Sequence, residues 1–146
     1  MIPEKQAAIE AIEAKRDVIT DVADHIWEYA ELSLQEEKSA ALYCEVLERE
    51  GFQVEKGICG IETAFSATYG SGRPLIGILA EYDALSGLSQ KAGSLIREEL
   101  VPGGCGHGCG HNLLGAGAMA AAIGIRAYLK QSKMPGTVIF YGCPGE

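Results

Sequence analysis

A glycine-rich segment of ten residues, 103–112, constrains the fold of this chain more than any other feature. Its glycines alternate with four side chains that can bind metals, namely Cys105, His107, Cys109 and His111. Thiolate and imidazole are ligands that zinc and similar metals prefer, and glycine lets neighbouring groups approach closely. The segment therefore predicts a loop that brings donor atoms close to one another or to a ligand. The alternative is a flexible glycine loop with incidental cysteines and histidines.

The size and charge of the chain limit the kinds of protein that it can be. Its 146 residues are enough for one domain with a sizeable core. The net charge of -8 argues against nucleic acid or an anionic membrane as a partner. The chain opens without a signal peptide and holds no apolar run of membrane-spanning length, so we expect a cytoplasmic protein. Its five cysteines then favour metal binding over disulfides.

Hydrophobic periodicity predicts an α/β fold with a mostly parallel sheet and helices on both faces. Residues 81–110 lack strong periodicity, and connections of that length are usually functional or disordered. Asn112 is a suitable N-cap for the helix that follows this connection. The predicted helices are 3–29, 36–50 and 113–129, and the predicted strands are 52–56, 64–69, 75–79 and 137–141.

Carboxylates follow two of the predicted strands at the point where each strand ends. Glu81 and Asp83 come after the strand 75–79, and Glu146 follows the last strand. Functional sites in α/β sheets gather at the carboxyl ends of strands, so these groups could meet Cys109 and His111 at one sheet edge. A metal there could acidify a water, and a nearby glutamate could take its proton, as in amide or ester hydrolysis. The alternatives are a solvated turn at residues 81–83 and a surface carboxylate at position 146.

Three ordered motifs resemble the amidohydrolase branch of the aminoacylase/carboxypeptidase metallopeptidase family, and the resemblance covers essentially the whole chain. The motifs are Glu-Tyr-Asp-Ala-Leu at 81–85, Gly-His-Gly-Cys-Gly-His-Asn at 106–112 and Gly-Cys-Pro-Gly-Glu at 142–146. The last motif, with Tyr141 before it, is most similar to the aminobenzoyl-glutamate hydrolases of that branch. The resemblance implies a metallopeptidase-type catalytic domain.

The resemblance also implies a role for each matching residue. Cys109 and His111 match the metal-binding Cys-Gly-His of the family, and Asp83 matches the acidic residue that supports the metal site. Glu81 stands where other branches have a metal-binding histidine. Glu146 matches the first residue of a Glu-Glu pair, which in the family is the general base for a metal-bound water. His107 stands at a place that is often histidine and is a candidate metal or supporting residue.

The resemblance further implies two divalent metals per complete site, zinc or manganese, and an N-acyl amino acid or dipeptide substrate, with p-aminobenzoyl-glutamate as the leading candidate. We expect residues 1–146 to be the amino-terminal part of the catalytic domain. Three features are expected outside these residues: a lid domain that mediates dimerisation, the second glutamate of the pair and two further histidine ligands. The full-length protein is expected to be a homodimer or hetero-oligomer, and these 146 residues alone are expected to be inactive.

Two non-hydrolytic functions compete with this interpretation. In the first, Cys105, His107, Cys109 and His111 close a structural zinc site in a non-catalytic half-domain. The crowding of all four donors into one loop argues against it, because structural sites usually take ligand pairs from separate segments. In the second, Cys105 and Cys109 form a thiol redox pair, although the chain has no Cys-x-x-Cys motif.

Overall fold

The computed structural model describes residues 2–146 and confirms the α/β class. Four helices and a four-stranded sheet form the domain, with a short 3-10 turn between the first two strands that the sequence did not predict. The helices are α1 (Pro3–Glu13), α2 (Arg16–Tyr29), α3 (Glu37–Arg49) and α4 (His111–Ser132). The strands are β1 (Gln53–Lys56), β2 (Phe65–Ser71), β3 (Leu75–Ala80) and β4 (Gly136–Gly142).

The sheet is mixed rather than mostly parallel. Its strand order is β1-β2-β4-β3, in which β2 pairs antiparallel with both β1 and β4. Strands β3 and β4 are parallel because α4 forms the crossover between them, as parallel pairs require. Their register pairs Ala80 with Gly142, so both strands end at the same edge of the sheet. The polar residues that follow them therefore emerge side by side.

The core lies between one face of the sheet and the helices α3 and α4. Tyr43 of α3 packs against Phe65 of β2 and Phe140 of β4, and all three side chains are buried. On the opposite face, Leu75 and Leu79 are 60% and 66% exposed. Helices on both faces were expected, because β3 reads as a continuous apolar run. Within residues 2–146 the helices cover only one face.

The predicted helix 3–29 is divided into α1 and α2 by a bend after Ala14. No proline or glycine marks this bend, and the hydrophobic spacing continues through it, so periodicity could not reveal it. The bend lets both helices contact α4. Lys15 at the bend and Arg126 of α4 both pair with the buried carboxylate of Glu50, at 2.6 and 2.9 Å.

Helix α4 is longer than predicted and begins at His111 instead of after Asn112. Gly110 is the N-cap in a left-handed conformation, with φ of 83°, and the Asn112 amide donates instead to the Ala23 carbonyl of α2. No apolar run of membrane-spanning length was expected, but α4 has the length and apolar composition of a membrane-spanning helix. Core helices share these properties, and α4 packs against β3, β4, α1 and α2.

Candidate metal centre

Three elements meet at the carboxyl edge of β3 and β4. Glu81 follows β3, Glu146 follows β4, and His111 opens α4. One potential ligand atom from each of these three side chains lies within 4.8 Å of the others. As predicted, the carboxylates that follow the strands therefore lie close to the glycine-rich segment, at His111.

The turn after β3 is fixed by the residue between its two carboxylates. Tyr82 is fully buried, and its hydroxyl donates to the Thr63 carbonyl oxygen at 2.6 Å. The backbone N–H of Ala84 donates to the Glu31 carbonyl at 2.7 Å. These contacts hold residues 81–84 in place, so the alternative of a freely solvated turn does not fit the structure.

Asp83 orients the imidazole of His111. Its Oδ1 lies 2.7 Å from His111 Nδ1, and its Oδ2 accepts a hydrogen bond from the Ser33 hydroxyl at 2.9 Å. Asp83 and His111 are only 2% and 4% exposed. Because the buried carboxylate accepts hydrogen bonds, it favours the tautomer that carries its proton on Nδ1. This leaves the lone pair of Nε2 free, which is how carboxylate–histidine pairs prepare a metal ligand.

The atoms around Nε2 fit a divalent metal. Glu81 Oε2 lies 3.1 Å from Nε2, and Glu146 Oε2 lies 3.8 Å from it. With the proton on Nδ1, a nitrogen lone pair and two carboxylate oxygens face one another, an arrangement that a cation between them stabilises. The imidazole nitrogen of His111 and the carboxylate oxygen of Glu81 are donors that zinc accepts in catalytic sites, and the Glu146 carboxylate lies beside them. The residues present therefore fit the metal that the resemblance implies.

Cys109 lies outside this group of donor atoms. Its side chain is exposed, two residues before His111, and its thiol is not among the ligand atoms that lie within 4.8 Å of one another. Its role as a metal ligand stays a prediction. Cys105 is half-buried and also lies outside the group.

His107 is directed at helix α2 rather than at the metal group. Its Nε2 forms a 2.9 Å hydrogen bond with the Ile26 carbonyl, while Nδ1 is buried without a hydrogen-bond partner in residues 2–146. Burial lowers the pKa of His107, an effect that the bond to Ile26 partly opposes. Since His111 pairs with Asp83 instead, the structure does not bring together the four ligands of the alternative zinc site.

Sequence reasoning missed two residues that contact the site, one at a carboxylate and one at the backbone. Ser33 reaches Asp83, and Glu36 reaches the backbone directly before Glu146, at Gly145 N–H. Both lie in the short connector between α2 and α3, far away in sequence. A polar connector gives no local signal of such contacts, and a glutamate there reads as an acidic residue in the first turn of α3.

The chain is similar to known hydrolases over most of its length, although no family model matches it. It is 50% identical over 137 residues to a subunit of the p-aminobenzoyl-glutamate hydrolase of Escherichia coli K12, covering 94% of this chain but only 28% of that protein. Among solved structures, a dinuclear metal-binding peptidase of the M20 family from Bacillus subtilis is 26% identical with a TM-score of 0.69. Both alignments cover nearly all of this chain.

A second solved structure, assigned as an aminohydrolase of methicillin-resistant Staphylococcus aureus, is 25% identical with a TM-score of 0.77. The alignments cover 97% of this chain for the staphylococcal protein and 92% for the peptidase, but 35% and 36% of those two chains. The chain thus spans about a third of the length of the proteins that it matches. The resemblance that the three motifs predicted is confirmed: the chain is similar, over nearly its whole length, to part of the amidohydrolases of the aminoacylase/carboxypeptidase metallopeptidase family.

Proposed function

We propose that this chain is part of a metal-dependent amidohydrolase that cleaves N-acyl amino acids or dipeptides. The observation that carries the proposal is the meeting of Glu81, His111 and Glu146 at the sheet edge, with His111 oriented by the buried Asp83. The similarity to a p-aminobenzoyl-glutamate hydrolase supports that compound as the leading substrate. Because the chain spans 28% of that relative, the activity is proposed for the protein at the full length of its gene.

Glu81 and His111 would hold the metal, together with Cys109 if its loop closes on the site. A dinuclear metal-binding peptidase among the similar structures supports a site for two divalent ions, zinc or manganese. When bound, the metal supplies Lewis-acid activation of the attacking water and of the scissile carbonyl. Asp83 keeps the Nδ1 proton of His111 in place, so that Nε2 remains available as a ligand.

Glu146 is proposed as the general base. Its side chain is 61% exposed, and its Oε2 lies 3.8 Å from His111 Nε2, so it stands at the open side of the group. It would take one proton from the attacking water as the water oxygen bonds to the amide carbon. It would then return that proton to the leaving nitrogen as the carbon–nitrogen bond breaks. General-base catalysis of this kind contributes typically about 10²–10⁴-fold to a rate.

The test is hydrolysis of p-aminobenzoyl-glutamate by the full-length protein, loaded with zinc or with manganese and followed by release of p-aminobenzoate. Glu146→Gln should lower kcat by roughly 10²–10⁴-fold while the bound metal is retained. Glu55→Gln, on the exposed surface of β1, is the matched control and should leave kcat unchanged. Lack of turnover with either metal, across a panel of N-acyl amino acids and dipeptides, would contradict the proposal.

The assembly and the compartment are also proposals. The Escherichia coli relative is one subunit of its hydrolase, which supports a hetero-oligomer of the full-length protein, and a homodimer is the alternative. Size-exclusion chromatography with light scattering, with and without a co-expressed second subunit, distinguishes these assemblies. A cytoplasmic location remains the expectation from sequence.

A further inference from the structure

The connector between α2 and α3, residues 30–36, contacts two parts of the proposed site without supplying a metal ligand to it. Ser33 donates to Asp83 Oδ2, and Glu36 Oε1 accepts a hydrogen bond from the backbone N–H of Gly145 at 3.0 Å. We propose that Glu36 is a positioning residue that fixes the turn in front of Glu146. The inference rests on the proposed function, in which Glu146 is the general base.

Glu36 is a fully buried carboxylate whose hydrogen-bond partners are all uncharged. Its Oε1 accepts hydrogen bonds from the N–H groups of Leu34 and Gly145, and its Oε2 accepts one from the Thr63 hydroxyl at 3.0 Å. Within residues 2–146 it forms no ion pair, and its side chain is 0% exposed. Burying a carboxylate without a cation is costly, and an apolar side chain would usually be at least as stabilising. The geometry that Glu36 imposes, by joining its own connector to the distant residues Thr63 and Gly145, is a better explanation for it than stability.

The turn that Glu36 holds is also packed against the connector. Gly145 has φ of 71° and Leu34 has φ of 62°, so both adopt left-handed conformations. A Cβ atom added at Gly145 would lie 3.1 Å from Leu34 Cδ2, which shows how closely the two residues approach. Glu36 therefore bonds the N–H groups of two residues that are already pressed together.

Glu146 depends on this turn for its direction. Its own carboxylate accepts no hydrogen bond within residues 2–146, and its contact with His111 is a 3.8 Å approach. The backbone before it therefore decides where the carboxylate points. A displacement of about 1 Å in a catalytic group can cost roughly 10²-fold in rate, so release of the Gly145 N–H should be felt in kcat.

The experiment compares three variants in the protein expressed at the full length of its gene. Glu36→Ala removes all three hydrogen bonds. Glu36→Gln keeps an oxygen for the N–H groups of Leu34 and Gly145, and its amide can donate to the Thr63 hydroxyl. Glu31→Ala is the matched control, because the Glu31 carboxylate lies in the same connector and, within residues 2–146, accepts hydrogen bonds only from Lys38 and Ser39 at the start of α3.

Two readouts are measured for each variant: kcat and KM for p-aminobenzoyl-glutamate, and hydrogen exchange of the Gly145 amide by mass spectrometry or NMR. Glu36→Ala should lower kcat by about 10–100-fold with a smaller change in KM, and should speed exchange at Gly145 at least about tenfold, as expected when a protecting hydrogen bond is lost. Glu36→Gln should keep both kcat and the exchange rate of the Gly145 amide within about threefold of wild type, which corresponds to less than about 1 kcal/mol. Glu31→Ala should lower stability without changing either readout.

The outcomes separate the two proposals. Unchanged exchange at Gly145 in Glu36→Ala, or an equal loss of kcat in Glu36→Ala and Glu31→Ala, would overturn the positioning role. Lack of turnover in the wild-type protein, with exchange at Gly145 accelerated only in Glu36→Ala, would refute the proposed hydrolase function while supporting Glu36 as the residue that holds the turn. If Glu36→Ala does not fold, exchange and kcat in Glu36→Gln and Thr63→Val decide the question. If kcat and the exchange rate of the Gly145 amide stay within about threefold of wild type, the positioning role of Glu36 is supported. A tenfold loss of kcat without faster exchange at Gly145 overturns it.

Discussion

The carboxylate edge, formed by Glu81, Asp83 and Glu146, and the glycine-rich segment 103–112 meet at His111 but hold their side chains very differently. At the edge, His111 is 4% exposed and bonded to Asp83, which is itself bonded to Ser33. In the segment, Cys109 is exposed, although it stands only two residues away. His111 and Cys109 were both predicted as metal ligands from the same motif. The difference shows that the partners of a side chain, and not its motif alone, determine how firmly it is held.

The strongest test of this comparison removes the residue that the two regions share. His111→Ala should weaken zinc and manganese binding at least about 100-fold, because it deletes the only imidazole of the group. It also leaves the buried Asp83 without one of its two hydrogen bonds, which should cost about 1–3 kcal/mol of unfolding free energy. Titration calorimetry and urea unfolding measure the two effects. His25→Ala, at an exposed position of α2, is the control; equal metal affinity in both variants would remove His111 from the site.

A second test asks how tightly the edge is packed. On α4, a Cβ atom added at Gly115 would lie 2.3 Å from the Tyr43 hydroxyl and 2.7 Å from the Glu81 carbonyl, whereas Gly117 has open space. Gly115→Ala should therefore destabilise the protein by about 1–3 kcal/mol. Gly117→Ala should instead stabilise it by up to about 1 kcal/mol, because alanine favours helix. Urea unfolding should show that the two substitutions change the free energy of unfolding in opposite directions. A stabilising Gly115→Ala would show that α4 does not approach the edge so closely.

The same comparison shows how much of the molecule was predictable. The strands, α3 and α4 followed from periodicity, and the meeting of Glu81, His111 and Glu146 followed from carboxylates placed after strands. The bend after Ala14 and the insertion of β4 between β2 and β3 did not follow, because both depend on packing between distant segments. Glu36 was missed for the same reason: its burial comes from Thr63 and Gly145, which lie 27 and 109 residues away.

A third test examines the loop side of the comparison. The family resemblance predicts that Cys109 binds the metal, so Cys109→Ser should weaken zinc binding about tenfold and manganese binding less, since thiolate is a soft ligand. Zinc should also protect Cys109 from alkylation by iodoacetamide. Cys59, which is exposed in a distant turn, should react at the same rate with and without zinc. Unchanged zinc affinity and unprotected Cys109 would confine the site to the carboxylate edge and His111.

The mildest test contrasts the thiols of the loop with the thiol of the core. Cys44 of α3 is 2% exposed, and burial raises the pKa of its thiol from 9.0 to about 11. Because the folded pKa lies above the unfolded one, the contribution of Cys44 is fully present below pH 9 and is lost as the pH rises towards 11. Between pH 8 and pH 10 the wild type should therefore lose about 1 kcal/mol of unfolding free energy relative to Cys44→Ala. Urea unfolding of both proteins at both pH values measures this difference. Ionisable groups that the two proteins share cancel when wild type is compared with Cys44→Ala. Cys109→Ala, at an exposed cysteine of the loop, is the matched control. Parallel pH profiles for wild type and Cys44→Ala would mean that the core admits the Cys44 thiolate.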